Sequence, residues 1–224
     1  MSFGGLKMID TKKNIERFEK LYADYILPRD GGDKLLEFIH KSDFYTAPAS
    51  TRFHLSEEGG LLQHSLNVFD CLLAKRTDNG IWQKKLEKYP TSTIAVTALL
   101  HDICKTYTYG KEFKNQKVYD KDVVATSEPR QIKHDSKGDF VWMEVPTYVT
   151  DNRFPMGHGA KSIFIIQQFM KLSMEEIATI YWHMGAYNLD SSCYGELGSA
   201  IEKYPLVLAL QEADMEASHL LEVD

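Results

Sequence analysis

The segment that most restricts the fold of this chain is an apolar run that ends in ionisable residues. The pattern predicts a helix over residues 93–104, in which Ile94, Ala95, Val96, Ala98, Leu99 and Leu100 leave almost no polar face. A helix without a polar face must be enclosed by other elements. The run nevertheless leads straight into His101-Asp102, and burying ionisable groups without partners is costly. This pair therefore needs a functional reason to stand at the end of a core helix.

Apolar residues at helical spacing recur on both sides of this segment. They predict helices over residues 11–28, 33–41, 60–76, 160–171, 173–184 and 204–221. Ser173 and Glu176 match a capping box, and the hydroxyl groups of Pro90-Thr91-Ser92-Thr93 are suited to capping the helix that follows. Residues 185–204, rich in Gly, Ser and Tyr, are predicted to form a loop.

Residues 106–156 have a different pattern. Short β-type runs, such as Phe140-Val141-Trp142, alternate with polar turn candidates, such as Lys121-Asp122, and predict two to four strands in a hairpin or small sheet. About 50 residues is small for independent folding, so we interpret this stretch as an insertion. We predict one mainly α domain over residues 1–224, with N-terminal helices in 1–45, a helical bundle and this β insertion.

The charge balance limits the partners of the chain. Lysine and arginine number 26 and aspartate and glutamate 32, which gives a formal net charge of −6. This balance argues against coating of duplex DNA. A nucleotide or a short single strand can still bind where a metal supplies local positive charge.

Cysteine usage and hydropathy predict a cytoplasmic location. Cys71, Cys104 and Cys193 are too few for a disulfide framework and indicate reduced thiols. Residues 1–5 show no signal-peptide pattern, and no apolar run approaches the ~18 residues that span a membrane. No membrane partner is therefore expected.

Imidazole and carboxylate side chains recur along the chain as candidate metal ligands. In order they are His64, His101, Asp102, His158, His183 and Asp214. This mixture of nitrogen and oxygen donors suits Mn, Fe, Co, Ni or Zn better than Ca or a thiolate-bound metal. Neighbouring side chains on a helix diverge by about 100°, so His101 can bind one metal while Asp102 reaches between two.

Three segments together resemble the HD superfamily of metal-dependent phosphohydrolases. They are Gly59-Gly60-Leu61-Leu62-Gln63-His64-Ser65, Ala98-Leu99-Leu100-His101-Asp102-Ile103-Cys104-Lys105, and the late Asp214. The resemblance covers residues 40–221, with 106–156 as a variable insertion. Residues 181–214 are also similar to the HD module of bacterial 3′→5′ exoribonucleases. Cys104 departs from the pattern, because the family usually has glycine there.

The resemblance implies a helical HD bundle and a site that holds one or two divalent transition metals. The first metal would be bound by His64, His101, Asp102 and Asp214, with Asp102 bridging, and the second would be completed by His158 and His183. Lys105 would contact the substrate phosphate or the outer shell of the metals. His54 would be a phosphate contact or a proton donor.

The reaction that the resemblance implies is hydrolysis of a phosphate ester. A metal-activated water would attack phosphorus in line, while the metals and Lys105 stabilise charge on the non-bridging oxygens. The substrate would be a small phosphate ester, a nucleotide or a short single-stranded nucleic acid. Monoesters and diesters, and one metal or two, are all compatible with the pattern.

Other interpretations of the same residues stay open. A few HD-fold proteins are di-iron oxygenases with a similar six-ligand set, and a regulatory module would bind a nucleotide without turnover. His64 and His183 are also compatible with packed core histidines, and Asp214 with a solvated helix face. We predict structural or surface positions for His40, His134 and His219, and packing roles for Trp82, Trp142 and Trp182. Lys161, Tyr187 and Tyr194 are candidates for the pocket lining.

Overall fold

The chain is mostly helical and carries one small antiparallel sheet. The computed structural model describes residues 9–77, 80–151, 154–187 and 191–223. The expectation of no signal peptide concerns residues that lie outside these ranges. The predicted mainly α class with a small sheet is confirmed. Within the described ranges, no helix combines the length and the apolar character needed to cross a membrane.

The helices and strands follow one another in the order α1–α5, β1, α6, β2, β3, α7–α10. Their bounds are α1 Thr11–Tyr25, α2 Gly32–Lys41, α3 Gly60–Thr77, α4 Ile81–Leu86, α5 Thr91–Leu100, β1 Tyr109–Val118, α6 Lys121–Thr126, β2 Lys133–Asp135, β3 Gly138–Thr150, α7 His158–Gln167, α8 Met174–Tyr181, α9 Tyr194–Lys203 and α10 Pro205–Glu216. Short 3₁₀ turns cover Ile103–Lys105 and Ser191–Cys193, and a π-helical turn covers Ala217–Leu221.

Helix α5 is the centre of the bundle, as its apolar sequence requires. Its residues from Ile94 to Leu100 are buried, and it packs against α1, α3 and α8. The α-helix ends at Leu100, before His101-Asp102, rather than continuing to residue 104. The predicted hydroxyl cap is wrong: Pro90 is the N-cap, Thr91 Oγ1 accepts a hydrogen bond from Arg76, and Thr93 Oγ1 donates one to Glu176.

One hydrophobic core joins most of the helices. It draws buried side chains from α1, α2, α3, α5, α7, α8 and α10. The N-terminal helices are tied to α8 by Arg29, which donates to both carboxylate oxygens of Glu176 at 2.6 and 2.9 Å. The same glutamate completes the predicted capping box with Ser173. The start of α8 is thereby held beside the start of α5, where Thr93 donates to the same glutamate.

The insertion forms a three-stranded sheet with the order β1-β3-β2. Strand β1 pairs antiparallel with β3 from Tyr109↔Thr150 to Val118↔Val141, and β2 pairs with the start of β3. The predicted turn at 121–122 is wrong, because it begins α6, where the Asp120 carboxylate caps two backbone N–H groups. Tyr107 N donates to Asp43 Oδ1 at 2.7 Å, which ties the base of the sheet to the helical bundle.

Residues 185–204 are not wholly a loop, because α9 occupies Tyr194–Lys203. Residues 188–190 of that segment lie outside the described ranges. Leu197 packs with Trp182 and Val207 in a second small core, which stabilises the helix by burial. A Cβ at Gly195 or Gly198 would meet nothing within 4 Å, so these glycines do not mark a backbone turn. The Gly-, Ser- and Tyr-rich composition of this segment therefore led to the wrong prediction of a loop over residues 194–203.

Candidate metal centre

The carboxylate of Asp102 lies at the centre of a buried group of imidazoles. Asp102 lies two residues after the end of α5, and its side chain is only 4% exposed. Its Oδ2 atom lies 3.5 Å from His101 Nε2, 3.8 Å from His64 Nε2 and 2.6 Å from Lys105 Nζ. Its Oδ1 atom lies 3.5 Å from His183 Nε2. The two oxygens thus face different sets of side chains.

Four helices and the turn after α5 bring the six predicted ligands together. His64 lies on α3, Asp214 on α10, His158 at the start of α7, and His183 two residues after α8. Asp214 Oδ1 lies 3.2 Å from His64 Nε2. Among the described residues, potential ligand atoms lie within 4.8 Å of one another in four groups, each with at least one predicted ligand: His54–His64–Glu222, His64–His101–Asp214, His101–Asp102–His183 and Asp102–Cys104–His158. These groups can hold a metal ion.

The hydrogen bonds of the buried imidazoles direct one nitrogen of each ring into the centre. His101 Nδ1 lies 2.8 Å from Ala98 O, and His183 Nδ1 lies 2.7 Å from Ile180 O. A ring that donates from Nδ1 to a carbonyl carries its lone pair on Nε2. The Nε2 atoms of His64, His101 and His183 are all buried without a hydrogen-bond partner. Since orphaned buried polar atoms are costly, these convergent lone pairs fit a divalent transition metal.

Glu222 is a member of the centre that the sequence did not reveal. Its side chain is 1% exposed, and both of its oxygens lie 3.1 Å from His64 Nδ1. Asn67 Nδ2, one turn along α3 from His64, donates to Glu222 Oε1 at 2.8 Å. This carboxylate orients the imidazole from the side opposite the ligand atom. No local signal marks Glu222, because it follows the π-helical turn after α10.

The charges of the centre shift the pKa values of its members. Burial alone would lower the pKa of His64, but its contacts with Asp214 and Glu222 raise it to about 9. Burial alone would raise the pKa of Asp102, but Lys105 and the neighbouring histidines lower it well below its ordinary value. In the metal-free protein, the charged imidazole of His64 therefore lies among ionised carboxylates, including that of Asp102.

Lys105 and His54 are the predicted substrate contacts. Lys105 is 9% exposed and is held beside Asp102, which keeps its pKa above the ordinary value despite burial. His54 Nε2 lies 3.9 Å from Glu222 Oε2, and burial lowers the pKa of His54 to about 4. A neutral imidazole near pH 7 suits a hydrogen bond to phosphate better than the role of a proton donor.

A cavity of about 750 Å³ opens onto the centre. Its walls include Ala49, Ser50, Thr51, Phe53, His54, His64, Asp102, Cys104, Lys105, Thr108, Tyr109, Thr150, Met156, His158, Lys161, His183, Met184, Ala186, Tyr187, Gln211, Asp214, Met215, Ser218 and His219. Lys161 and Tyr187 therefore reach the pocket, whereas Tyr194 is not among its lining residues. His219 is exposed, as predicted, and it also borders the cavity.

The remaining histidines and tryptophans have ordinary surroundings. His40 pairs with Glu19 at 2.6 Å, and His134 pairs with Asp139 at 2.8 Å, both at the surface. Trp182 is buried in the second small core, and Trp82 packs against the main core. Trp142 is half exposed on β3 beside Phe140.

Comparison with known protein families, with characterised proteins and with solved structures finds no match for this chain. An assignment of function therefore rests on the chemistry of the side chains around Asp102. Buried potential ligand atoms lie there beside an open cavity, and Lys105 and Lys161 are part of the cavity wall.

Proposed function

We propose that this chain is a metal-dependent phosphohydrolase with the helical bundle of the HD superfamily. The observation that carries the proposal is the convergence of three orphaned imidazole nitrogens on the carboxylates of Asp102 and Asp214. A structural role for these side chains would leave the buried Nε2 atoms of His101 and His183 without a partner. A divalent metal satisfies them together.

The donor set supports two adjacent metals that share Asp102. His64, His101 and Asp214 lie on the Oδ2 side of this carboxylate, and His183 approaches Oδ1. His158 belongs to a ligand group with Asp102 as well. Two bound metals would supply an acidified water and positive charge for the phosphoryl oxygens. Mn, Fe, Co, Ni and Zn all suit this donor set.

The surroundings of the centre favour an anionic substrate. Lys105 and Lys161 line the cavity next to the candidate ligands, so they can neutralise phosphate oxygens. His54 can donate a hydrogen bond to the same group. Lys105 would position the phosphate and neutralise its charge, because the Lys105 ammonium remains charged near neutral pH.

The size and lining of the cavity support a nucleotide or a short single strand as the substrate. A volume of about 750 Å³ lies within the range of ligand pockets of roughly 300–1,000 Å³. Phe53 and Tyr187 are exposed aromatic residues in its wall, and such rings stack on bases. The methionines Met156, Met184 and Met215 add an adaptable apolar surface.

Metal content and ester hydrolysis test the proposal together. The chain is purified without chelator, its metals are counted by elemental analysis, and phosphate release is measured with nucleotides and aryl phosphate mono- and diesters. We expect about two metals per chain and turnover that Asp102→Asn lowers by at least about 100-fold. Asp70→Asn is the matched control, because Asp70 pairs with Arg17 at the surface.

The other outcomes of this experiment have distinct meanings. A chain that takes up no metal overturns the proposal. A metal-loaded chain that hydrolyses no ester also overturns it; oxygen uptake with an organic substrate would then indicate a di-iron oxygenase, and tight nucleotide binding without turnover would indicate a regulatory module.

A further inference from the structure

The thiol of Cys104 is a buried group of the centre that the proposed function does not use. Of the three cysteines, Cys104 is 2% exposed, whereas Cys71 and Cys193 are half-buried. Its Sγ atom lies 3.9 Å from Asp102 Oδ1 and 3.7 Å from His158 Nδ1. Cys104 also lines the cavity. A nucleophilic sulfur thus stands between two candidate metal ligands.

The two oxygens of Asp102 divide the centre into two halves with different chemistry. Oδ2 faces the imidazole nitrogens of His64 and His101 and the ammonium group of Lys105. Oδ1 faces His183 Nε2 at 3.5 Å and Cys104 Sγ at 3.9 Å. The half beside Oδ1 therefore offers sulfur as well as nitrogen and oxygen.

His183 indicates independently that a ligand belongs on the Oδ1 side. Its ring is fully buried, its Nδ1 is engaged by Ile180 O, and its Nε2 has no hydrogen-bond partner. That nitrogen is aimed at the same carboxylate oxygen that Cys104 approaches. A cation beside Oδ1 would satisfy the orphaned nitrogen.

Three of the separations among Asp102, Cys104, His158 and His183 are close to those of ligands on one small cation. Nitrogen, oxygen and sulfur ligands bound to a tetrahedral ion at about 2.0–2.3 Å lie about 3.3–3.6 Å from one another. The observed separations of 3.5, 3.7 and 3.9 Å lie close to these values. Asp102, Cys104 and His158 form one group of potential ligand atoms within 4.8 Å of one another, whereas His183 groups with Asp102 and His101, so its ring must turn towards the thiol to join the same ion.

The backbone holds the thiol in this position. Cys104 N donates to Ser162 Oγ at 3.2 Å, and Ser162 lies one turn along α7 from His158. Thr108 Oγ1 donates to Cys104 O at 2.9 Å from the other side. The turn that carries Cys104 and the helix that carries His158 are therefore fixed to each other.

We infer that Cys104 is a thiolate ligand of the second metal, together with Asp102, His158 and His183. The inference rests on the proposed function only in requiring that the centre bind metal ions. On binding, the thiol releases one proton to solvent and the sulfur becomes a soft ligand. Thiolate favours Zn, Co or Fe over Mn and Mg. The second metal position would therefore select among these metals, whereas a site with only nitrogen and oxygen donors would accept all of them.

Cobalt(II) titration of the full chain, freed of metal beforehand, tests the inference by spectroscopy. We expect two Co²⁺ per chain and a sulfur-to-cobalt charge-transfer band in the near ultraviolet. Cys104→Ser should abolish that band and weaken binding of the second Co²⁺ by about 10–100-fold. The double variant Cys71→Ser, Cys193→Ser is the matched control and should keep the band.

The readings of this titration separate the two proposals. Binding of one or two Co²⁺ without a thiolate band in the unaltered chain overturns the role of Cys104 and leaves the metal centre in place. A band that survives Cys104→Ser overturns it as well. No cobalt binding at all overturns both proposals. The measurement on the unaltered chain does not depend on whether any variant folds.

Discussion

At the scale of single residues, Glu222 is expected to set the affinity of the centre without touching a metal. Its carboxylate accepts from His64 Nδ1 and fixes the ring that offers Nε2 to the centre. Glu222→Gln keeps the shape of the side chain but loses its charge, so we expect metal affinity to fall by about 10–100-fold. Isothermal titration with Zn²⁺ measures this.

Glu212→Gln is the control for that prediction. Glu212 is a half-exposed partner of Lys75 on α10, outside the centre. Equal affinities in the Glu222→Gln variant and the unaltered chain would mean that His64 is oriented by its packing on α3 alone.

His64 also predicts how the stability of the metal-free protein depends on pH. Its folded-state pKa of about 9 lies above the ordinary value of 6.5. The stabilisation by protonated His64 is therefore complete below pH 6.5 and is lost as the pH rises through 9. We expect the free energy of unfolding to fall by about 3 kcal/mol across this window.

Urea unfolding of the chelator-treated chain at a series of pH values checks this dependence. The His64→Gln variant should lack this component of the slope between pH 6.5 and 9.5. The same slope in both proteins would assign the titration to another group of the centre.

The residues of the centre were predictable to different extents. His64, His101, Asp102 and Asp214 stood out because their segments resemble a known ligand pattern. Glu222 did not, because its role depends on where the chain after α10 meets α3. A position outside any motif acquires such a role only through tertiary structure.

At the scale of elements, the close contact between α7 and α8 is expected to control the second metal. A Cβ at Gly159 would come within 2.4 Å of the carbonyl oxygens of Ile180 and Tyr181. Gly159→Ala therefore forces the start of α7, with His158, away from the end of α8. We expect the metal content to fall from two per chain to one, with a loss of stability of about 1–3 kcal/mol.

The neighbouring glycine supplies the control for this element. A Cβ at Gly157 would meet nothing within 4 Å, and its φ of −58° suits any residue. Gly157→Ala should keep both metals in elemental analysis. If Gly159→Ala also kept both, the helix contact would not determine the geometry of His158.

The elements themselves were predicted where burial produces a strong pattern. Helix α5 was expected from its apolar run, and the capping box of α8 formed as its residues indicated. Helix α9 was missed, since its stability comes from contacts of Leu197 with distant residues and not from its composition. Helix α4 was not predicted, because its six residues are too few for a helical spacing of apolar side chains to be distinguished from a turn.

At the scale of the whole molecule, the base of the sheet insertion contributes one wall of the cavity. Thr108, Tyr109 and Thr150 line the cavity where β1 and β3 leave the bundle. Because Tyr109 is not a candidate metal ligand, Tyr109→Ala should raise KM for a nucleotide by up to about 10-fold and leave kcat and metal content nearly unchanged.

Phe113→Ala on the same strand is the control, because Phe113 is 73% exposed and is not among the residues of the cavity wall. Steady-state kinetics of both variants test the role of the insertion. A fall in kcat with unchanged KM would instead connect Tyr109 with the chemical step.

The separation of the centre's members along the chain has a consequence for how the protein matures. His64 and Glu222 are 158 positions apart, and they meet only after α10 has docked on α3. A nascent chain on the ribosome can fold its first helices, yet it holds no complete ion site until its late segments emerge. If the proposed ion binds the folded chain more tightly than the unfolded chain, its uptake stabilises finished copies against degradation. Cellular metal supply would then regulate the abundance of this protein as well as the activity proposed for it.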